Sequence, residues 1–153
     1  PITPFFTEEV YQYFSDESIH KSAWPEVGII DEKAIENGYK NIAVTTALAS
    51  DIPEINKLKE ENPNVNIYIF AVHTTGLSKE DARIIFDGSD VITSCASKYI
   101  REIGDKESLK TVGQSIPIYS NTEEGKKFIE IRLEKIGGEK PHKENPKLPY
   151  PLI

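Results

Sequence analysis

Two patterns of apolar and polar residues alternate along the chain. Four short apolar runs, each bounded by polar or turn-forming residues, are typical of strands buried on both faces; they cover residues 42–44, 65–72, 90–94 and 116–120. Around these runs, apolar residues recur three or four positions apart, which is the spacing of an amphipathic helix. That spacing predicts helices over 29–38, 49–62, 78–88, 96–104 and 121–138.

Short polar residues mark where several of these helices begin. Ser78 and Asp81 have the spacing of a capping box, in which the serine hydroxyl accepts a hydrogen bond from a backbone N–H of the first turn. Thr122 is placed to cap the last helix, and Ser50 or Asp51 the helix over 49–62. The helix predictions therefore have local support besides their periodicity.

Strands that alternate with helices of about ten residues predict an α/β fold. Right-handed crossovers then give a three-layer sandwich with a small parallel sheet of about four to five strands, Rossmann-like or flavodoxin-like. The chain divides into an N-terminal helix and loop over 1–27, the α/β domain over 28–138, and a Pro-rich extended tail over 139–153.

Composition narrows the class of protein. The chain of 153 residues suits one domain, and its formal net charge of −7 disfavours nucleic-acid binding, which depends on clustered Lys and Arg. No stretch of about 18 apolar residues is present, so no membrane span is expected. The start lacks the pattern of a signal peptide, and a single cysteine, Cys95, fits a reducing cytoplasm. Because the chain begins at Pro1 and has no methionine, it is either trimmed or a piece of a longer protein.

Hydroxyl-rich residues follow each predicted strand, at 45–47, 73–76, 94–98 and 119–122. In open parallel sheets, ligands bind beyond the carboxyl ends of the strands. Hydroxyls, free backbone N–H groups and helix N-termini at one edge suit an anion. We therefore expect an anionic small molecule at these strand ends. The residues expected to hold it are Thr45, Thr46, Thr74, Thr75, Gly76, Ser94, Ser97 and Lys98. The alternative is that these residues only cap helices or close turns. We expect Ser78 and Thr122 to cap helices and not to contact a ligand.

Cys95 and His73 are the candidate catalytic pair. Cys95 follows a buried strand and precedes a helix, whose N-terminus favours a thiolate. His73 also lies at a strand end, and an imidazole can move a proton, hydrogen-bond a ligand or bind a metal. The alternatives are an inert, packed cysteine and a histidine bonded to a loop carbonyl. Standard dinucleotide, phosphate-loop and HExxH motifs are absent. No metal site is expected, and the residues do not identify a cofactor.

Three stretches together resemble a known family: "EKAIENGYKNIAVTT", "IFAVHTTGLSKEDA" and "DVITSCASKYIREIG", continued by "QSIPIYSNTEEGKKFI". They are similar to the C-terminal half of methanogenesis marker protein 8, an archaeal family of unknown activity, over about residues 28–136. The resemblance implies a cytoplasmic archaeal protein with an accessory role around methanogenesis, in handling a cofactor or maturing the methyl-coenzyme M reductase system. Members are longer, with an N-terminal half that is not found here, and the family supplies no catalytic residues.

Three hypotheses of function remain open. The first is an accessory domain that binds an anionic small molecule or cofactor at the strand ends, with Lys98 supplying positive charge. The second is a Cys/His-dependent enzyme of racemase, transferase or hydrolase type. The third is a docking module, whose N-terminal aromatic residues and tail would meet another copy of the chain, another protein or the missing N-terminal half.

Overall fold

Strands and helices alternate along most of the chain. The structure is a computed structural model that describes residues 29–139, 141 and 146–153; the helix expected within 1–27 lies outside these residues. The described elements follow in the order α1 (Ile29–Glu36), β1 (Asn41–Thr46), α2 (Asp51–Glu61), β2 (Asn66–Ala71), α3 (Lys79–Gly88), β3 (Val91–Thr93), α4 (Lys98–Glu107), β4 (Lys110–Val112), β5 (Ile118–Ser120) and α5 (Glu123–Lys135). The helices and strands predicted between 29 and 138 are all present, and β4 is an addition.

The strands form one five-stranded sheet in the order β1-β2-β3-β5-β4. The first three strands are parallel, with Thr46 opposite Ala71 and Ala71 opposite Ile92. β5 is antiparallel to β3, and β4 is antiparallel to β5. The sheet is therefore mixed, and the expectation of a wholly parallel sheet is wrong for β5.

The direction of β5 follows from the short connection that precedes it. β4 and β5 are joined by the loop 113–117, and so short a connection makes a hairpin, whereas a parallel neighbour needs a crossover of about a dozen residues or more. Ser120, the last residue of β5, consequently lies opposite Val91, the first residue of β3. The hydroxyl-rich segment 119–122 thus lies at the opposite edge of the sheet from the other three strand ends.

One face of the sheet carries the hydrophobic core. Ile42 and Val44 of β1 are buried beside Ile67 and Ile69 of β2. The same cluster receives side chains from three helices, with Ile52 and Ile55 from α2, Ile85 and Phe86 from α3, and Ile100 from α4. Because alternate strand residues point to one face, this core fixes the register of β1 and β2.

The other face is only partly covered in the described part of the chain. The Phe128 ring of α5 packs edge-on against Tyr68, with ring centroids 4.9 Å apart, and against Phe70, at 5.6 Å. Along β1 the residues of this face, which include Ala43 and Thr45, are exposed. β1 is therefore buried on one face only, in contrast to the expectation for buried parallel strands.

Three hydroxyls cap helices with direct hydrogen bonds. Ser78 accepts from the Asp81 N–H, as the capping box predicts, and Thr122 accepts from the Gly125 N–H. Ser97 does the same for α4. Ser50 occupies the cap position of α2 without a side-chain cap bond. None of the helices described within 29–139 is long and apolar enough to cross a membrane.

Candidate functional site

The carboxyl ends of β1, β2 and β3 lie side by side at one edge of the sheet. Thr46, Ala71 and Ile92 are neighbours across the three strands. Because the strands are parallel, the segments that follow them, 47–50, 72–78 and 94–97, leave the sheet at the same edge. We call this edge, with these three segments, the strand-end rim. It contains Thr74, Thr75, Gly76, Ser94 and Ser97 of the predicted anion-binding residues. Thr45 and Thr46 lie at the end of β1, and Lys98 is the first residue of α4.

Buried hydroxyls join two of these segments. The Thr74 residue is fully buried, and its hydroxyl lies 2.8 Å from the carbonyl oxygens of Thr93 and of Ser94, which share its one proton in a bifurcated hydrogen bond. The Thr75 hydroxyl accepts from the Ala96 N–H at 3.1 Å. The loop after β2 is thereby fixed to the loop after β3, so that the rim between these strands has a defined shape.

Thr46 is also buried, and its hydroxyl closes the turn after β1. It accepts from the Leu48 N–H at 3.1 Å and is hydrogen-bonded to the Asp51 carboxylate. Asp51, itself buried, begins α2. Thr46 therefore shapes the turn from β1 into α2, and its hydroxyl is already engaged by protein groups.

The two serines of the β3–α4 segment are fully buried but differ in their partners. The Ser97 hydroxyl accepts from the Ile100 N–H at 3.3 Å, so it serves as a helix cap. The Ser94 Oγ has no hydrogen-bond partner in the described part of the chain. A buried hydroxyl without a partner is costly and therefore unusual. Ser94 thus stands out among the predicted site residues.

His73 and Cys95 share an uncommon backbone conformation. Their φ angles are 55° and 47°, and among the described residues they are the non-glycine residues with positive φ. Such a conformation costs about 1–3 kcal/mol for a residue with a side chain, and it clusters at functional sites. His73 is exposed and Cys95 half-buried. Within residues 29–139 no hydrogen bond joins the thiol to the imidazole, so a preformed thiol–imidazole pair is not observed.

The remaining predicted residues are open to solvent. Thr45, Gly76 and Lys98 are exposed. Gly76 has a φ of 79°, which favours glycine, and a Cβ built there would meet nothing within 4 Å. The Lys98 ammonium lies 4.0 Å from the Glu102 carboxylate and 5.8 Å from the centre of the Tyr99 ring. At an exposed position both contacts are weak.

The C-terminal residues reach the rim through backbone hydrogen bonds. The Ile153 N–H donates to the Ala96 carbonyl at 2.9 Å, and the Ile153 carbonyl accepts from the Lys98 N–H at 3.0 Å. Lys98 is the first residue of α4, and Ser97 already serves the Ile100 N–H. The expectation that this helix N-terminus offers free N–H groups is therefore wrong for Lys98 and Ile100.

Arg101 is a residue of the site that the sequence analysis missed. It is 9% exposed, and its Nη2 donates to the Cys95 carbonyl at 2.7 Å and to the Ser115 carbonyl at 2.9 Å. It thereby joins the strand-end rim to the β4–β5 loop. The sequence signal that could have identified Arg101 is its position three residues after Lys98, since residues at this spacing lie on one side of a helix.

Across the described ranges, no group of three or more His, Cys, Asp or Glu side chains could hold a metal ion. The strand-end rim offers hydroxyls, one imidazole and one thiol, and the first turn of α4 adds the cationic side chains of Lys98 and Arg101. This set can bind an oxyanion by hydrogen bonds and charge.

Comparison with known proteins identifies one family. Residues 27–134 match the family described as "Uncharacterized protein conserved in archaea (DUF2099)". The matched range contains all five described strands and the whole strand-end rim apart from the contact with Ile153.

Three curated relatives share shorter stretches. The "Uncharacterized protein MJ0054" of Methanocaldococcus jannaschii is 38% identical over 98 residues, which are 64% of this chain and 34% of the relative. A valine–tRNA ligase of Methanopyrus kandleri is 38% identical over 61 residues, 40% of this chain and 6% of the relative. A valine–tRNA ligase of Methanosarcina barkeri is 53% identical over 36 residues, 22% of this chain and 4% of the relative. The chain thus spans at most about a third of the length of these relatives, and no solved structure matches it.

Proposed function

The chain belongs to the DUF2099 family of archaeal proteins, and we propose that it is an accessory domain that binds an anionic small molecule or cofactor at the strand-end rim. The observation that carries the proposal is the construction of this edge. Three parallel strands end side by side, and Thr74 and Thr75 fix the shape of two of the loops that follow. A rigid framework of this kind lowers the cost of ordering a site when a ligand binds.

The predicted residues divide into two roles within this proposal. Thr46, Thr74, Ser94 and Ser97 are buried and form the framework. The exposed or half-buried residues contact the ligand: Thr45, His73, Thr75, Gly76, Cys95 and Lys98. Lys98 supplies positive charge, and the hydroxyls and the imidazole donate hydrogen bonds to the anion.

The proposal extends to the architecture and the cellular role. Helices from the core face and α5 on the other face support a three-layer, Rossmann-like arrangement, which has its usual ligand position at such strand ends. The likeness to methanogenesis marker protein 8 supports an accessory role around methanogenesis in the cytoplasm. A homo-oligomer, or docking to another protein or to further segments of a longer chain, is compatible with this role.

Native mass spectrometry followed by denaturing release tests the binding proposal. We expect a small molecule that co-purifies with the wild-type chain and whose occupancy falls at least tenfold in Lys98→Glu, since a carboxylate there repels an anion. Lys106→Glu is the matched control, because it reverses the same charge at an exposed position in the last turn of α4. Its occupancy should equal that of the wild type. Equal occupancy in all three proteins would place the ligand elsewhere.

A second candidate function is catalysis with Cys95 as the nucleophile and His73 as the acid or base. The observation that favours it is the left-handed backbone at both residues. Because Cys95 is the single cysteine of the chain, alkylation reports on it alone. A catalytic thiolate predicts alkylation at neutral pH at least tenfold faster than that of a free cysteine peptide, with a loss of that advantage in His73→Gln. Alkylation no faster than the peptide's removes this candidate.

A further inference from the structure

Arg101 is a buried cation without a carboxylate partner in the described part of the chain. The chain has three arginines. Arg83 forms ion pairs with Asp87 and Glu107, and Arg132 is exposed. Arg101, in contrast, is 9% exposed, and its hydrogen bonds go to two backbone carbonyls. A buried charge is costly unless an opposite charge accompanies it.

The guanidinium also keeps unused donors. It has five N–H groups, and the two bonds to Cys95 and Ser115 are both made by Nη2. Nε is buried and has no partner in residues 29–139, 141 and 146–153. The side chain is therefore held in place by one nitrogen, while the other nitrogens remain able to donate.

The surroundings of Arg101 are those of the proposed binding site. Its Nη2 donates to the Cys95 carbonyl, and the residue before Cys95 in sequence, Ser94, has a fully buried hydroxyl without a partner in the described residues. Lys98 lies one turn earlier on the same side of α4. Two cations, one of them rigidly held, and a buried free hydroxyl thus lie in one turn and the helix that follows it.

We propose that Arg101 is the charge anchor of the strand-end rim and binds the oxyanion, carboxylate or phosphate, of the ligand. This inference rests on the proposed binding function and adds to it the residue that provides the main charge. Arg101 is suited to this because a guanidinium donates several hydrogen bonds to one anion and is more weakly hydrated than an ammonium. Lys98, being exposed, has the smaller part in binding.

The Nε–H signals of the arginines in ¹⁵N NMR spectra test the inference directly. Inorganic phosphate and, separately, acetate are added to the wild-type chain at constant ionic strength. We expect the Arg101 Nε–H signal to move and reach saturation with at least one of the two anions. The anion that acts at the lower concentration indicates whether the ligand group is a phosphate or a carboxylate. The Arg83 and Arg132 signals are internal controls and should not saturate.

Variants give the second readout. Arg101→Lys identifies the signal, and Arg101→Gln should weaken anion binding at least tenfold, as monitored by the backbone amides of residues 94–98. Arg132→Gln removes the same charge from an exposed position and should leave binding unchanged. If Arg101→Gln does not fold, the wild-type Nε–H titration decides alone.

The outcomes separate this inference from the proposed function. Saturating shifts at residues 94–98 without a response of Arg101 would overturn the inference and leave the binding proposal intact. If neither residues 94–98 nor Arg101 shows saturating shifts, the result contradicts both the inference and the binding proposal for phosphate and acetate. If the Arg101 Nε–H signal shifts without reaching saturation, and the Arg132 signal shifts in the same way, the shifts report charge screening only. That result also overturns the inference.

Discussion

At the scale of the residue, Tyr119 combines full burial with a polar group that must be satisfied. Its side chain is 0% exposed, and its hydroxyl donates to Asp105 Oδ1 at 2.6 Å. Gly104 packs directly against the ring, since a Cβ at that position would lie 2.6 Å from it. Burial, and then the hydrogen bond to Asp105, raise the pKa of Tyr119 above its ordinary value.

This raised pKa predicts a loss of stability in alkali. In the unfolded chain Tyr119 ionises near pH 10, whereas in the folded chain it keeps its proton to higher pH. Above about pH 10 the unfolded state has therefore released a proton that the folded state retains, and the free energy of unfolding falls by up to about 1.4 kcal/mol per pH unit. Below about pH 10, Tyr119 is protonated in both states, and its full contribution to the free energy of unfolding is present. Urea denaturation from pH 8 to 11 measures the effect.

Tyr119→Phe is the matched control for this pH dependence. The variant loses the hydrogen bond, at a cost of about 1 kcal/mol near pH 8, and its stability should fall less steeply above pH 10. Parallel curves for the two proteins would show that Tyr119 does not cause the dependence.

At the scale of the elements, Asp90 joins four parts of the fold from a position just before β3. Its carboxylate accepts from the Ile69 N–H of β2 at 2.7 Å and from the Thr122 hydroxyl at the start of α5 at 2.7 Å. The Lys59 ammonium of α2 lies 3.8 Å away. Asp90 and Ile69 are both buried, so the Ile69 N–H has little access to water if the carboxylate is removed.

Asp90→Ala should destabilise the protein by about 2–5 kcal/mol, because it leaves a strand N–H and a threonine hydroxyl without their charged acceptor. Lys59→Ala, which removes only the more exposed partner of the ion pair, should cost less than about 1 kcal/mol. Urea unfolding of the two variants beside the wild type measures both. A similar small loss in both would show that other groups or water replace the Asp90 carboxylate.

At the scale of the whole molecule, the C-terminal segment closes the side of the strand-end rim next to α4. Ile153 exchanges two backbone hydrogen bonds with Ala96 and Lys98, and farther back Pro141 accepts from the Gln114 side chain. Within residues 146–153, large apolar side chains are exposed, Tyr150 at 97%. The end of the chain therefore lies against the rim, with the Tyr150 side chain exposed.

Removal of residues 146–153 should release the Lys98 amide. Its hydrogen exchange is expected to rise at least tenfold, because its acceptor is the Ile153 carbonyl. The Ile100 amide, held by Ser97 within the same turn, is the internal control and should change little. Equal protection of Lys98 with and without the segment would show that the contact does not persist in solution. A changed oligomeric state after removal of 139–153 would support the docking role of the tail.

Local signals in the sequence determined the elements of this protein and the composition of its rim. Helix periodicity, the caps at Ser78 and Thr122, and the apolar runs of the strands depend on residues a few positions apart, so each can be recognised without knowledge of the fold. The hydroxyl-rich segments after the strands are equally visible. From them we predict that 45–47, 73–76, 94–98 and 119–122 share one edge of the sheet, which is correct for the first three segments and wrong for 119–122.

Which groups meet across the chain depends on the folded arrangement of the strands and helices. The direction of β5 depends on its pairing between β3 and β4, and β4, with three residues, is too short to show a clear alternation of apolar and polar residues. The hydrogen-bond and ion-pair partners of the Asp90 and Arg101 side chains and of the Ile153 backbone lie between 6 and 57 positions away in sequence. Most of these partners are main-chain groups, which every residue type has, so the sequence does not identify them. Burial and long-range hydrogen bonding set these contacts, and both are properties of the assembled sheet and its helices rather than of any local segment.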